Sequence, residues 1–164
     1  KEALKFIIQN KISQYNRTNA WNLFNIKENK NFFIQSNLNL DANLSYLTLD
    51  KNIIAAHSGF IYNNIFYYLF PVYDENFSKY SPGKILLNFL IKNSEQSKID
   101  YFDFTIGSEE YKKNWSNNKT YSCMTLKSVN FFGIFLVFFI KLKSIIKIIA
   151  FKSGILKYIL KRNR

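Results

Sequence analysis

The sequence predicts an α+β fold, with a mixed and mostly antiparallel sheet, one βαβ unit, flanking helices and a helical tail at the C-terminus. Three observations predict this class. Residues 44–72 follow the two-residue period of strands and are divided by turn residues. A turn with proline and glycine at positions 82 and 83 then opens a helical segment. A strand-like run at 99–106 follows, which gives the strand, helix and parallel strand of a right-handed crossover.

The N-terminal segment, 2–16, is predicted to be an amphipathic helix because its apolar side chains recur at helical spacing. Those side chains are Ala3, Leu4, Ile7, Ile8 and Ile12. The polar stretch that follows, 16–31, is predicted to be a turn with a short helix.

Three strands are predicted next, at 44–49, 53–61 and 65–72. The first two are joined by a turn at 50–52, and Asn63 and Asn64 form the hairpin turn between the second and third. Connections this short indicate an antiparallel meander.

After a loop at 73–80, a helix is predicted at 84–93, followed by an apolar strand at 99–106 that is buried on both faces. A short helix at 108–115 and a strand at 120–127 complete the prediction. We divide the chain into a lobe, 1–128, and a basic helical tail, 129–164. Because the chain begins at Lys1, we expect the lobe to be the C-terminal part of a longer protein, with another lobe before it.

Charge and metal-ligand content exclude some classes of function. The net charge is +12, but residues 124–164 hold nine Lys or Arg and no Asp or Glu, which leaves fourteen basic and eleven acidic residues in the rest. One histidine and one cysteine offer no zinc or iron site, so no metal is expected. Cys123 is predicted to be a small buried residue of a strand.

The tail is predicted to lie on a membrane surface. Its apolar run 131–140 is too short to span a bilayer, and Lys141, Lys143 and Lys147 interrupt any extension. Apolar and basic residues that lie on different helical faces, as over 131–162, are typical of a helix in the membrane interface. We expect a cytoplasmic protein, peripheral on the inner face of the membrane. A helix packed on a partner lobe and a short re-entrant segment remain alternatives; a nucleic-acid partner is not expected, because the tail is too apolar.

The turn before the predicted helix is a candidate site for a phosphate-rich ligand. Free backbone N–H groups and the positive end of a helix dipole both favour anions there. The residues of this turn are Tyr80, Ser81, Pro82, Gly83 and Lys84.

Candidate catalytic residues follow at the end of the next strand. Asp103 interrupts an apolar strand. It is predicted either to act as a base or substrate-orienting group or to form a structural ion pair, for which Lys112 is a candidate partner. Tyr111 and Lys112 come just after the strand end, and Lys112 is suited to an anionic acceptor or to developing negative charge. His57 and Trp115 are predicted to be structural.

Two motifs resemble those of a known family. The first is Tyr80-Ser-Pro-Gly83. The second is Phe102-Asp-Phe-Thr-Ile-Gly107, which is followed by Glu110-Tyr-Lys112 and Trp115. The sequence resembles GNAT-superfamily acyltransferases of the CelD-like group, which are associated with cellulose or polysaccharide biosynthesis. The resemblance implies a GNAT-like lobe and an acyl-CoA donor, such as acetyl-CoA, whose pyrophosphate rests on the turn 81–84. It also implies an amine or hydroxyl acceptor, here expected to be a sugar of a cell-surface polysaccharide.

Two alternatives to this acyltransferase remain open. The turn holds one glycine and a proline, which leaves fewer amides for phosphate than the glycine-rich loop usual in this superfamily. A non-catalytic lobe that acts as a membrane-associated scaffold would have the same sequence pattern. So would a relative of the Fem-type transferases, which take an aminoacyl group from tRNA.

Overall fold

The computed structural model describes residues 1–107, 109–121 and 125–152, with the backbone alone at 147, 148 and 150–152. Two compact units divide the chain, Lys1–Ser116 and Asn117–Arg164. The helices are α1 (Glu2–Thr18), α2 (Lys27–Asn39), α3 (Pro82–Gln96), α4 (Lys112–Trp115) and α5 (Phe131–Lys152). The strands are β1 (Ala42–Leu49), β2 (Asn52–Tyr62), β3 (Ile65–Tyr68), β4 (Val72–Tyr73) and β5 (Tyr101–Asp103).

All five strands form one mixed sheet in the order β1-β2-β3-β5, with β4 also paired to β2. The β1–β2, β2–β3 and β2–β4 pairs are antiparallel, whereas β5 runs parallel to β3 after the α3 crossover. Asn63 and Asn64 make the predicted hairpin turn, with φ of 47° and 60°, a conformation that asparagine tolerates well. The α+β class, the antiparallel meander and the βαβ unit are therefore confirmed.

Beyond β3 the sheet separates into two branches. Both β3 and β4 pair with β2, and residues 69–71 lie between them, so they follow the same edge of β2. In contrast, β5 pairs with β3 only, from Ile65↔Tyr101 to Tyr67↔Asp103. The chain after β5 therefore has no strand partner in β4, and the sheet opens there.

Two apolar clusters hold helices to the sheet. One joins α1 and α2 to β2 and β4 through Leu4, Ile7 and Phe33. The other joins α3 to β2 and β3 through Leu87 and Phe66. Burying such side chains contributes roughly 1.5–3 kcal/mol each relative to exposure.

Gly59 lies in β2 where the backbone of β3 comes close to it. A Cβ at this position would collide with the Tyr67 carbonyl oxygen and would lie 2.7 Å from Cε1 of His57. The absent side chain is what lets the His57 ring lie flat beside the hairpin.

Several predicted elements differ from the structure. The short helix predicted in the polar stretch 16–31 is present as a 3₁₀ helix at Leu23–Asn25, but the longer helix α2 that follows was not predicted. The strand 99–106 is shorter, and it is not buried on both faces: Tyr101 and Asp103 are exposed while Phe102 is half-buried, because β5 is an edge strand with one covered face. The helix predicted at 108–115 is limited to α4.

The C-terminal predictions have a mixed outcome. In the predicted strand 120–127, residues 120, 121 and 125–127 lie outside any strand, while 122–124, with Cys123, lie outside the described residues. One continuous helix, α5, covers 131–152. The predicted helix end at Gly154 and the helix at 155–160 also lie outside the described residues. No helix among the residues that were placed combines the length and apolarity needed to cross a bilayer.

Candidate active site

A pocket of about 300 Å³ lies in the first unit, where the sheet opens. One wall is the strand edge at Tyr68–Tyr73, and the opposite wall is the chain after β5, from Phe104 to Ile106. The N-terminus of α3 closes a third side. Ala56 of β2 and Ser78 also line the pocket. The charged and polar side chains at its other end come from α1 and from the segment that leads into α4, and they are Lys11, Gln14, Glu109, Tyr111 and Lys112.

Asp103 and Thr105 create the opening. The Thr105 N–H donates to Asp103 Oδ1 at 2.6 Å, and Thr105 itself has a left-handed φ of 58°. The Thr105 hydroxyl donates to the Tyr68 carbonyl oxygen at 3.3 Å, and this hydrogen bond joins the chain after β5 to the end of β3. A backbone N–H used by a side chain is not available to a neighbouring strand, so the ladder ends here.

The first turn of α3 has features that favour an anionic ligand. Ser81 has a left-handed φ of 52°, and its carbonyl oxygen accepts from the N–H groups of Lys84 and Ile85. Pro82 is buried and has no N–H to offer. Within the described chain the Gly83 N–H has no acceptor, and a Cβ on Gly83 would lie 3.3 Å from the Tyr73 ring. A bare amide thus faces the pocket beside a positive helix end.

An ion pair lies on the other side of the pocket. Lys112 Nζ is 2.8 Å from Glu109 Oε2 and donates to the Ile106 carbonyl oxygen at 3.1 Å. Burial raises the pKa of Glu109, but the hydrogen bond and charge of Lys112 outweigh it, so the pKa is lowered overall. Burial, with a smaller effect of Glu109, raises the pKa of Tyr111 to about 12. The Tyr111 hydroxyl therefore stays protonated and can donate.

Lys11 is a pocket residue that the sequence analysis missed. Its side chain is buried although α1 is otherwise apolar on that face, and its Nζ donates to Gln14 Oε1 at 3.0 Å. Burial lowers the pKa of Lys11 to about 8; Glu109 opposes this shift and Lys112 adds to it. The burial of Lys11 could have been inferred from the sequence, because position 11 continues the helical spacing of the buried residues Leu4, Ile7 and Ile8.

The structure brings most of the predicted site residues together. Those that line the pocket are Ser81, Gly83, Lys84, Tyr111 and Lys112. Three predicted residues do not line the pocket: Tyr80, Pro82 and Asp103. Tyr80 is exposed, and the Lys79 ammonium lies over its ring at 4.8 Å from the centroid, whereas Pro82 is buried. Lys112 pairs with Glu109 and not with Asp103. The chemical roles of all eight residues stay predictions.

His57 lies in the core, as expected for a structural histidine. Its ring stacks on Tyr68 with centroids 4.5 Å apart and on Phe66 at 5.5 Å. Burial, assisted by the charge of Lys11, lowers the pKa of His57 to about 3, so the ring is neutral at physiological pH. Trp115 packs against the same cluster as α3. In the described part of the chain, no three His, Cys, Asp or Glu side chains are grouped as a metal site would require.

The parallel crossover strand β5 thus separates from its neighbour beside the N-terminus of α3. Residues 1–113 match the family model described as the acetyltransferase (GNAT) domain. The match covers well over half of the sequence and ends just past Lys112, so the chain belongs to this family. Acyl transfer is the family's chemistry, and its members generally use acyl-CoA. A search of the curated proteins finds no match to the chain.

Proposed function

We propose that this chain moves an acyl group, such as acetyl, from acyl-CoA to an amine or hydroxyl of a sugar in cell-surface polysaccharide synthesis, as a member of the CelD-like group. The observation that carries the proposal is the pocket at the sheet opening. It places the anion-binding end of α3 on one side and the Lys112–Glu109 pair on the other. A donor and an acceptor held in one such cleft react as if at high concentration.

The donor end of the pocket is assigned to the N-terminus of α3. The Gly83 N–H and the helix dipole favour the pyrophosphate of acyl-CoA, and the exposed Lys84 adds a charge-assisted contact. Acyl-CoA brings an activated thioester to the cleft. A Cβ at position 83 would lie 3.3 Å from the Tyr73 ring, so a larger side chain at this turn requires that ring to shift.

The other end of the pocket is assigned to the acceptor. Lys112 is held by Glu109 and by the Ile106 carbonyl, so its ammonium is fixed in position before any substrate arrives. Such a fixed cation, together with the protonated Tyr111 hydroxyl, stabilises negative charge that develops on an oxygen in the transition state. Lysines outnumber carboxylates among the lining residues, which favours an acceptor with an anionic group.

A valine at position 83 tests the donor end. Valine keeps the N–H at position 83, but its branched side chain blocks the approach of a phosphate to that N–H. We therefore expect Gly83→Val to weaken acetyl-CoA binding by about tenfold or more, because loss of one hydrogen bond to a charged group costs roughly 1.5–3 kcal/mol. Titration calorimetry with acetyl-CoA measures the change, and the melting temperature without ligand reports whether the variant folds.

Two variants serve as controls for this test. Ile85→Val places the same branched side chain two residues further along α3, at an exposed position outside the pocket lining, and it should bind like the wild type. Gly83→Ala should lie between the two. Wild-type protein that shows no binding and no rise in melting temperature with millimolar acetyl-CoA would favour the non-catalytic scaffold instead. Acyl exchange with charged tRNA would favour the Fem-type reaction.

The helix α5 is proposed to hold the enzyme at the inner face of the membrane. Its described side chains include exposed Phe132, Phe135 and Phe139, and Lys141 and Lys143 accompany them. No acidic residue lies between 124 and 164. Aromatic rings suit the boundary between headgroups and acyl chains, and each lysine near an anionic surface contributes about 1 kcal/mol. The partner that this composition fits is an anionic lipid surface.

A further inference from the structure

We propose that Lys11 is the group that accepts the proton from the acceptor amine or hydroxyl. This inference rests on the acyl transfer proposed above and names the base for it. It concerns a residue on α1, outside the sequence motifs of the site.

The position of Lys11 is unusual for a lysine. Only 9 % of the residue is exposed, yet its side chain lines the pocket. Among the described residues, Lys11 Nζ makes one hydrogen bond, to the neutral amide of Gln14, and no carboxylate lies within ion-pair distance of it. A buried ammonium with so little compensation is costly, so the site favours the neutral amine.

The groups around Lys11 set its charge state. On its own helix, the Tyr15 ring lies under Nζ at 5.9 Å. Titratable side chains from the other elements are His57, Tyr68, Tyr73, Glu109, Tyr111 and Lys112. Burial dominates and lowers the pKa of Lys11 to about 8, with Glu109 raising it and Lys112 lowering it. A useful fraction of the amine is thus neutral near neutral pH, which a base requires.

The proposed step moves the acyl group from the sulfur of CoA to the acceptor. The lone pair of the acceptor nitrogen or oxygen forms the new bond to the acyl carbon, and the bond from that carbon to sulfur breaks. The proton that the acceptor loses passes to the neutral Nζ of Lys11. The ammonium then gives that proton to the departing sulfur, which leaves as the CoA thiol and restores the neutral amine.

Two substitutions separate a base from a fixed positive charge. Lys11→Arg keeps the charge but cannot lose a proton near neutral pH, and Lys11→Met removes both. We expect both to lower kcat for CoA release by about 100-fold or more, as is typical when a general base is lost. We also expect both to abolish the rise of kcat around a pKa of about 8. Lys5→Arg, at an exposed position of the same helix, should behave like the wild type.

A second measurement needs no turnover. Trace acetic anhydride, applied over a range of pH and followed by peptide mass spectrometry, reports how the reactivity of each lysine rises as its amine becomes neutral. For Lys11 we expect the midpoint of that rise near a pKa of about 8. A midpoint at the ordinary lysine value would overturn the inference.

The outcomes distinguish this inference from the proposed function. If the wild type transfers acyl groups and Lys11→Arg matches it in kcat and pH dependence, acyl transfer stands and the base is another residue. If the wild type releases no CoA with any amino sugar or hydroxyl acceptor, acyl transfer itself fails. Lys11 then has no such role, whatever its labelling midpoint.

Discussion

His57 is a basic side chain carried into apolar surroundings without a partner. Neither ring nitrogen has a hydrogen bond in the described part of the chain, although one of them must carry a proton. The rings of Tyr68 and Phe66 stack on His57, and their dispersion contacts offset part of the cost of burying these nitrogens without a hydrogen bond. Because the pKa is lowered to about 3, the unfolded chain binds a proton at His57 before the folded protein does.

This residue should therefore limit stability in acid. In the folded protein the ring stays neutral down to about pH 3, whereas in the unfolded chain it gains a proton below about pH 6.5, so about 5 kcal/mol of stability is lost as the pH falls from 6.5 toward 3. We expect His57→Phe, which preserves the ring stack, to remove this part of the pH dependence. Urea denaturation of both proteins at pH 7 and at about pH 4.5 measures it.

The difference in stability between the two pH values is the informative quantity, because any change in packing at position 57 contributes equally at both. His57→Leu provides a second variant without a titrating group. An unchanged loss of stability in acid for both variants would contradict a buried neutral histidine.

At the scale of single elements, the end of β5 decides where the site lies. Asp103 is exposed and its carboxylate binds the Thr105 N–H, so its evident contribution is to turn the chain away from β3. A base or a substrate-orienting group at this position would need its negative charge. A turn needs only an oxygen that accepts a hydrogen bond.

An asparagine and an alanine at position 103 distinguish these roles. If Asp103 acts by holding the turn, Asp103→Asn should retain most of the activity, whereas Asp103→Ala should lose about tenfold because the opening relaxes. Steady-state kinetics of CoA release measures both variants. Equal, large losses of kcat in the two variants would instead support direct participation of the carboxylate.

The elements predicted well are those with local signals. The hairpin follows from the asparagine pair at 63 and 64, and α3 from Pro82 at its first turn. In contrast, α2 is polar, and it is held by one buried ring: Phe33 packs edge-on against Phe24 at 5.2 Å and Phe70 at 4.7 Å. A contact with Phe70, which lies between β3 and β4, has no counterpart in the spacing of apolar residues along α2 itself.

The site was predicted in the same uneven way. Residues 81, 83 and 84 and residues 111 and 112 meet in the pocket because a crossover brings the two motifs to one edge of the sheet. Lys11 comes from the other side of the fold, and its role depends on burial and on distant charges. A lysine in a helical period is ordinarily placed on the solvated face, so only the tertiary structure could single it out.

For the whole molecule, the uneven distribution of charge is the property with the widest effect. The tail carries nine basic residues and no acidic one, while the rest of the chain is nearly balanced. Its helix α5 exposes apolar side chains along its described length. In the proposed membrane interface, attraction to anionic lipid and burial of those side chains would act together.

Reversing two charges on α5 tests the membrane proposal. We expect the double variant Lys141→Glu, Lys143→Glu to bind vesicles containing phosphatidylserine at least about thirty-fold more weakly, since each lysine contributes about 1 kcal/mol. Flotation on a density gradient measures the bound fraction. The matched control Lys27→Glu, Lys30→Glu reverses two exposed charges on α2 and should float like the wild type. Wild-type protein that remains at the bottom of the gradient would refute the proposal.

Gly59 has a consequence for how this sequence can diverge. Its backbone touches the facing strand so closely that even one methyl group would force the hairpin apart. Among relatives that keep this hairpin, we expect glycine to persist at position 59 while position 57 varies among flat rings that fill the space it leaves. A histidine that performs no chemistry would then drift freely to phenylalanine or tyrosine, and its small neighbour would stay unaltered.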